Sequence, residues 1–180
     1  MKKVLLTFAF SACAALSVVS SAGDGICEPS KLTPALEELY DSDQESRVGL
    51  APSNDVWNMQ RLEEIVAECG WPDSEFLGRK AAVGAFLVLQ HAPLDLQLRY
   101  LPLIREAAEK GQLVAGTLPL LEDRILVRKG LPQSYGTQFS KGCELYEIEE
   151  PESVEERRDA AGLPPLQEYV AYCLEKRSSQ

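Results

Sequence analysis

The segment from Gly78 to Gln90 constrains the fold more than any other part of the chain. Ala81, Ala82, Val83, Ala85, Phe86, Leu87, Val88 and Leu89 leave it almost no polar face. A helix that is apolar all round is covered on every side by other parts of its own domain. This one is also too short to cross a bilayer. The rest of the chain must therefore supply elements that wrap it.

The flanking sequence reads as a set of amphipathic helices. Thr33-Pro34 is a cap and first-turn pair, and Leu36, Leu39 and Tyr40 follow at helical spacing to about Arg47. Ser53 or Asn54 opens a second helix striped by Val56, Met59, Leu62, Ile65 and Val66, and Gly70-Trp71-Pro72 stops it. After the apolar segment, helices are expected from Pro93 to Lys110 and from Thr117 to Gly130. Two more are expected over Glu152–Ala161 and Leu166–Lys176. One stretch breaks this rhythm. Gln133, Tyr135, Thr137 and Phe139 alternate, Ser140-Lys141-Gly142 can turn the chain, and Leu145, Tyr146 and Ile148 can return it. The expected fold is all-α, one domain over residues 23–180 with about seven helices, plus one small β-hairpin near residues 133–148.

The amino terminus has the three parts of a secretory signal: Lys2 and Lys3, an uncharged apolar run from Val4 to Val19, and Ser20-Ser21-Ala22 before a cut at Gly23. Residues 1–22 are therefore expected to be removed, and the protein to work in the periplasm or outside the cell. A lipoprotein processed at Cys13 is the lesser alternative. Removal of the signal takes away two lysines and no acid, so a chain of net charge −10 becomes more acidic still. Clustered cations are what nucleic-acid binding needs, so that class is set aside, as is a membrane span. Cys27, Cys69, Cys143 and Cys173 remain, in a compartment that permits disulfides. Four cysteines allow three pairings. The expectation is Cys27 with Cys173, tying the ends, and Cys69 with Cys143, with free buried thiols as the alternative.

Several short motifs are spread along the chain: Asp43-Gln44-x-x-Arg47, Asp55-x-x-Asn58, Gly70-Trp71-Pro72, Gln90-His91 and Asp123-Arg124. Gln133-x-Tyr135-Gly136-Thr137-Gln138 and Arg157-Arg158 with Gly162-Leu163 complete the set. On these the chain resembles an uncharacterised bacterial domain-of-unknown-function family, over about residues 36 to 169. The Tyr-Gly-Thr-Gln piece with its preceding glutamine is the most specific. The resemblance implies a shared fold and a shared polar site, and no known activity. The family is not tied to export, so the signal peptide and the cysteines look like additions.

The candidate chemistry centres on His91, the one histidine. Its ring titrates near neutrality, and it ends the apolar helix, where the helix dipole favours positive charge. It reads either as a general base or anion donor, or as a structural cap on helix carbonyls. Asp43 and Asp123 are the carboxylates expected to orient it. Asp43 and Arg47 share a helix face, with Gln44 beside them. Arg124 and Arg128 share another, where compensation of the helix dipole competes with anion binding. Gln133, Tyr135, Thr137 and Gln138 could present neutral hydrogen-bonding groups to a ligand, or satisfy one another. Arg157 and Arg158 lie on a charged helix face, with one able to turn inward and pair with Asp43 or Asp123 in a structural role. One histidine cannot make a multi-histidine metal site, and no cysteine pair has zinc spacing, so neither metal nor cofactor is expected.

Two functions follow from these residues. The preferred one is a binding or interaction module with a polar cleft near His91 and the 133–138 hairpin, taking an unidentified small molecule or protein. The alternative is a hydrolase-type enzyme with His91 as general base and Asp43 or Asp123 behind it.

Overall fold

The computed structural model describes residues 25–178. The expected signal peptide and Cys13 lie outside the described residues. Eight α-helices follow in order: α1 (Pro29–Arg47), α2 (Asp55–Cys69), α3 (Ser74–Leu77), α4 (Arg79–His91), α5 (Leu94–Glu109), α6 (Thr117–Arg128), α7 (Val154–Ala160) and α8 (Leu166–Ser178). A 3-10 turn, Pro151–Ser153, leads into α7. Among the described residues, no helix is long and apolar enough to cross a membrane.

The apolar segment is α4, and it sits at the centre. It touches α1, α2, α3, α5 and α6. Its Ala81, Ala85, Val88 and Leu89 join Leu36 and Leu39 of α1, Leu62 and Ile65 of α2, Ile104 of α5 and Leu121 of α6 in one core. Small residues let α1 come especially close. A Cβ on Gly84 would lie 2.4 Å from the Leu36 carbonyl oxygen and 3.0 Å from the Tyr40 Cβ. Only a hydrogen side chain allows that contact.

The start of α1 differs from expectation. The helix begins a full turn before Thr33-Pro34, with Pro29 in its first turn and Pro34 inside it. Burial of Leu32 and a disulfide from Cys27 to Cys69 hold that extra turn against α2. The cysteine pairing is corrected by the same geometry. The bonds are Cys27–Cys69 and Cys143–Cys173, with Cα–Cα distances of 5.3 and 5.9 Å, and not Cys27–Cys173 with Cys69–Cys143. The start of α1 lies beside the end of α2, and the loop after α6 lies beside α8, so each bridge closes a nearby pair of segments.

The hairpin expected near residues 133–148 does not form. Among the described residues that segment makes two isolated bridges, Gln133 with Ile148 and Phe139 with Leu145. In a strand, successive N–H groups point to opposite edges. Here the N–H groups of Ser134 and Tyr135 converge on one oxygen of Asp123. Burial along 133–139 does not alternate either: Gln133, Gly136 and Thr137 are buried, and Tyr135 and Phe139 are half-buried. Gly136 has φ 69°, and a Cβ there would meet Leu166 at 2.8 Å and Ile148 at 3.0 Å, so the loop fits closely under α8.

Replacing Gly84 by alanine should separate α1 from α4. Overpacking of a tight core typically costs about 1–3 kcal/mol. Urea unfolding of Gly84→Ala against the parent protein measures it.

Candidate functional site

The end of α4 and the end of α1 meet at a buried carboxylate. Asp43 is 1% exposed. The His91 ring comes to it through Nδ1, 2.6 Å from Asp43 Oδ1. Arg47 donates to the same oxygen at 3.2 Å, and Gln44 donates to Oδ2 at 3.0 Å. Arg47 also joins Asp55 in the first turn of α2. One turn further along α2, buried Asn58 accepts from the Ser42 hydroxyl at 3.0 Å. Burying a carboxylate is costly unless charge and hydrogen bonds compensate it, and three side chains do so for Asp43.

His91 does not cap its own helix. The α4 carbonyls of Leu89 and Gln90 accept from Gln97 Nε2 at 3.2 and 2.7 Å. The Ala92 carbonyl accepts from Arg128 at 2.6 Å. With the helix end satisfied by others, the imidazole is left to Asp43.

Burial holds the His91 pKa below its ordinary 6.5; the bond to Asp43 pulls the other way, and the charges of Arg47 and Arg124 add to the lowering. The ring is therefore neutral at neutral pH. A neutral imidazole has one N–H, and the carboxylate takes it at Nδ1. Nε2 keeps its lone pair and makes no hydrogen bond among the described residues. The side chain is 22% exposed and lines an open groove of about 700 Å³, with Asp55, Met59, Glu63, Leu94 and Arg128 among its walls.

Asp123 belongs to a different cluster. It is fully buried and accepts from the backbone N–H of Ser134 (2.7 Å), Tyr135 (3.0 Å) and Thr137 (2.9 Å) and from the Thr137 hydroxyl (2.9 Å). Gln133 is equally buried; it donates to the Gln138 and Tyr146 carbonyls at 3.1 and 3.0 Å and accepts from Gln138 N–H at 2.8 Å. Gln138 donates to Thr137 Oγ1 at 3.0 Å. Arg157 reaches the Ser134 carbonyl at 2.8 Å. Arg158 turns fully inward, to the carbonyls of Tyr135 at 2.6 Å and Pro164 at 2.8 Å, with its guanidinium over the Tyr169 ring. It meets carbonyls, where a carboxylate partner was expected.

The structure thus brings Asp43, Gln44, Arg47 and His91 together and keeps Asp123, Gln133, Thr137 and Gln138 apart from them in a loop that satisfies itself. Tyr135 lies on another cavity of about 510 Å³, which shares no lining residue with the His91 groove. Gln97 was not singled out by sequence, Asp55 was read only as part of a motif, and Arg128 only beside Arg124 on a helix face. Gln97 had a readable signal: it is a polar residue in the line of Leu94, Leu101 and Ile104, the buried face of α5. Asp55 and Arg128 are surface types at ordinary positions, and only the neighbours of Arg47 and Ala92 single them out.

Two outcomes follow from this geometry. Below pH 6.5 the unfolded chain takes up a proton at His91 more readily than the folded one. Stability should therefore fall as the pH drops through that value, and the decline should be shallower in His91→Gln, as read from unfolding midpoints across pH 5 to 8. Asp123→Ala strands several buried donors at about 1–3 kcal/mol each. Amide exchange at Ser134, Tyr135 and Thr137 should accelerate strongly, with the Asp43–His91 contact unchanged.

Among known proteins, the model of a family of unknown function, DUF6624, matches residues 37–177 and so takes in both clusters. No curated protein and no solved structure matches the chain.

Proposed function

This chain belongs to DUF6624, and we propose that it is a hydrolase-type enzyme in which His91, held by Asp43, acts as general base in the groove at the end of α4. The observation that carries this reading is the 2.6 Å bond from His91 Nδ1 to Asp43, which leaves Nε2 unbonded on a ring that lines the groove. A carboxylate behind an imidazole sets its tautomer and stabilises the imidazolium that forms during reaction. Gln44 and Arg47 fix the carboxylate. Nε2 takes a proton from a water in the groove, the water oxygen attacks the substrate, and the imidazolium returns the proton to the leaving group. Asp123 has no part in this, because its oxygens are filled by the loop it holds.

A binding module without turnover is the second reading. It is supported by the groove wall, where Val56, Met59, Leu94 and Leu96 offer apolar contact to a held ligand.

Because His91 is the one histidine, the carbethoxyimidazole formed by diethyl pyrocarbonate reports on that ring. In the folded protein this ring should be acylated at Nε2, and more slowly in Asp43→Asn. A ring that stays unreactive until the protein unfolds would remove the general-base reading. On any ester, amide or phosphoester found to turn over, His91→Ala should lower kcat by about 10²–10⁴-fold. A ligand that raises the melting temperature but is never turned over, in parent protein and variant alike, would favour the binding module.

A further inference from the structure

One oxygen of Asp43 serves two different donors. His91 Nδ1 lies 2.6 Å from Oδ1, and Arg47 donates to the same atom from Nη2 at 3.2 Å and from Nε at 3.4 Å. A guanidinium is a strong rival for a carboxylate, because its planar fork can donate in parallel to both oxygens. Arg47 does not do so here. Asp43 Oδ2 is left to Gln44, and Arg47 Nη2 is shared with Oδ1 of Asp55, in the first turn of α2. Asp55 also lines the His91 groove, yet it makes no hydrogen bond to the ring. Its connection to His91 runs through Arg47 and Asp43.

The charges of these residues agree with that arrangement. Asp43 and Asp55 set two carboxylates against the one guanidinium of Arg47. While the ring is neutral, these four residues are one positive charge short of balance. The imidazolium formed when Nε2 takes a proton supplies it, and nearby opposite charge favours the charged form. Of the other ionised groups at the ring, Glu63 of α2 is paired with Arg99 of α5, and Arg128 of α6 donates to the Ala92 carbonyl. The charge of Arg124, also from α6, opposes protonation, as does that of Arg47.

We propose that Asp55 is a positioning residue for the His91 base, holding Arg47 back so that Asp43 remains free to support the imidazole. This rests on the reading of His91 as general base. Without Asp55, Arg47 closes on Asp43, neutralises it and leaves the ring a weaker base. Stability is not what the pair supplies. Arg47 and Asp55 are 36% and 39% exposed, and an ion pair so open to water contributes little to the fold. What it does is fix where Arg47 points.

The test is a double-mutant cycle on the protein with both disulfides intact. It is read by pH titration of the ring signals, which are unambiguous with one histidine. In Asp55→Asn the ring should hold its proton about threefold more weakly than in the parent, and Asp55→Glu should restore it. The melting temperature at neutral pH should barely move in either variant. In an Arg47→Gln background, Asp55→Asn should leave the proton affinity of the ring unchanged, because the group it acts through is gone. A loss as large without Arg47 as with it would mean that Asp55 acts on the ring directly, and no loss in either background would mean that it does not act. Both results overturn the proposal. If Arg47→Gln does not fold, the crystal structure of Asp55→Asn decides. Arg47 closed on both oxygens of Asp43 supports positioning, and Arg47 left in place or released to solvent overturns it. The cycle reads proton affinity and not turnover. Asp55 can therefore fail it while His91 is still acylated at Nε2, or pass it in a protein that turns nothing over.

Discussion

The close contact of α1 with α4 is what the rest of the molecule depends on. Gly84 lets the Leu36 carbonyl and the Tyr40 side chain rest against the α4 backbone. From that point both helices run to the place where Asp43 and His91 meet. A wider spacing would leave Asp43 buried without its histidine, and a buried carboxylate that loses a partner is strongly destabilising. The polar contact and the apolar contact therefore support each other. The core brings the ends of the helices together, and the Asp43 cluster penalises any slippage between them.

The two fully buried carboxylates show how differently one residue type can be used. Asp123 is saturated by backbone donors from a single loop, and its work is to shape that loop. Asp43 is met by side chains from its own helix and by the ring of His91, which has another nitrogen to offer. The first arrangement is closed. The second couples the carboxylate to a ring that lines a groove. That difference, more than the number of hydrogen bonds, separates a structural acid from a candidate catalytic one.

Much of the helical order was legible from periodicity and stop signals. Gly70-Trp71-Pro72 ended α2, and the apolar run marked α4 as the centre, because burial on all sides leaves no polar face to disguise. The hairpin was misread for a physical reason. Alternating Gln133, Tyr135, Thr137 and Phe139 have the period of a strand, but a carboxylate eleven residues or so away in sequence competes for the same N–H groups and wins. The cysteine pairing was also beyond the sequence, since spacing says nothing of which segments fold side by side. The Asp43–Arg47 pair could be anticipated from helical geometry, whereas the approach of His91, far along the chain, could not.

By itself, the sequence determined an acidic, helix-rich chain built round one apolar helix, with a lone histidine at that helix's end. Those properties are local: they follow from side-chain type and from a repeat of three to four residues. Only the tertiary structure decided that Asp43, and not Asp123, stands behind His91, that Gln97 and Arg128 take the helix-end carbonyls, and that Arg124 is left with a donor to spare. Each of these is a choice among partners distant in sequence. Such choices are made by the way helices pack, because only the packed state tells a buried polar group which partner is within reach.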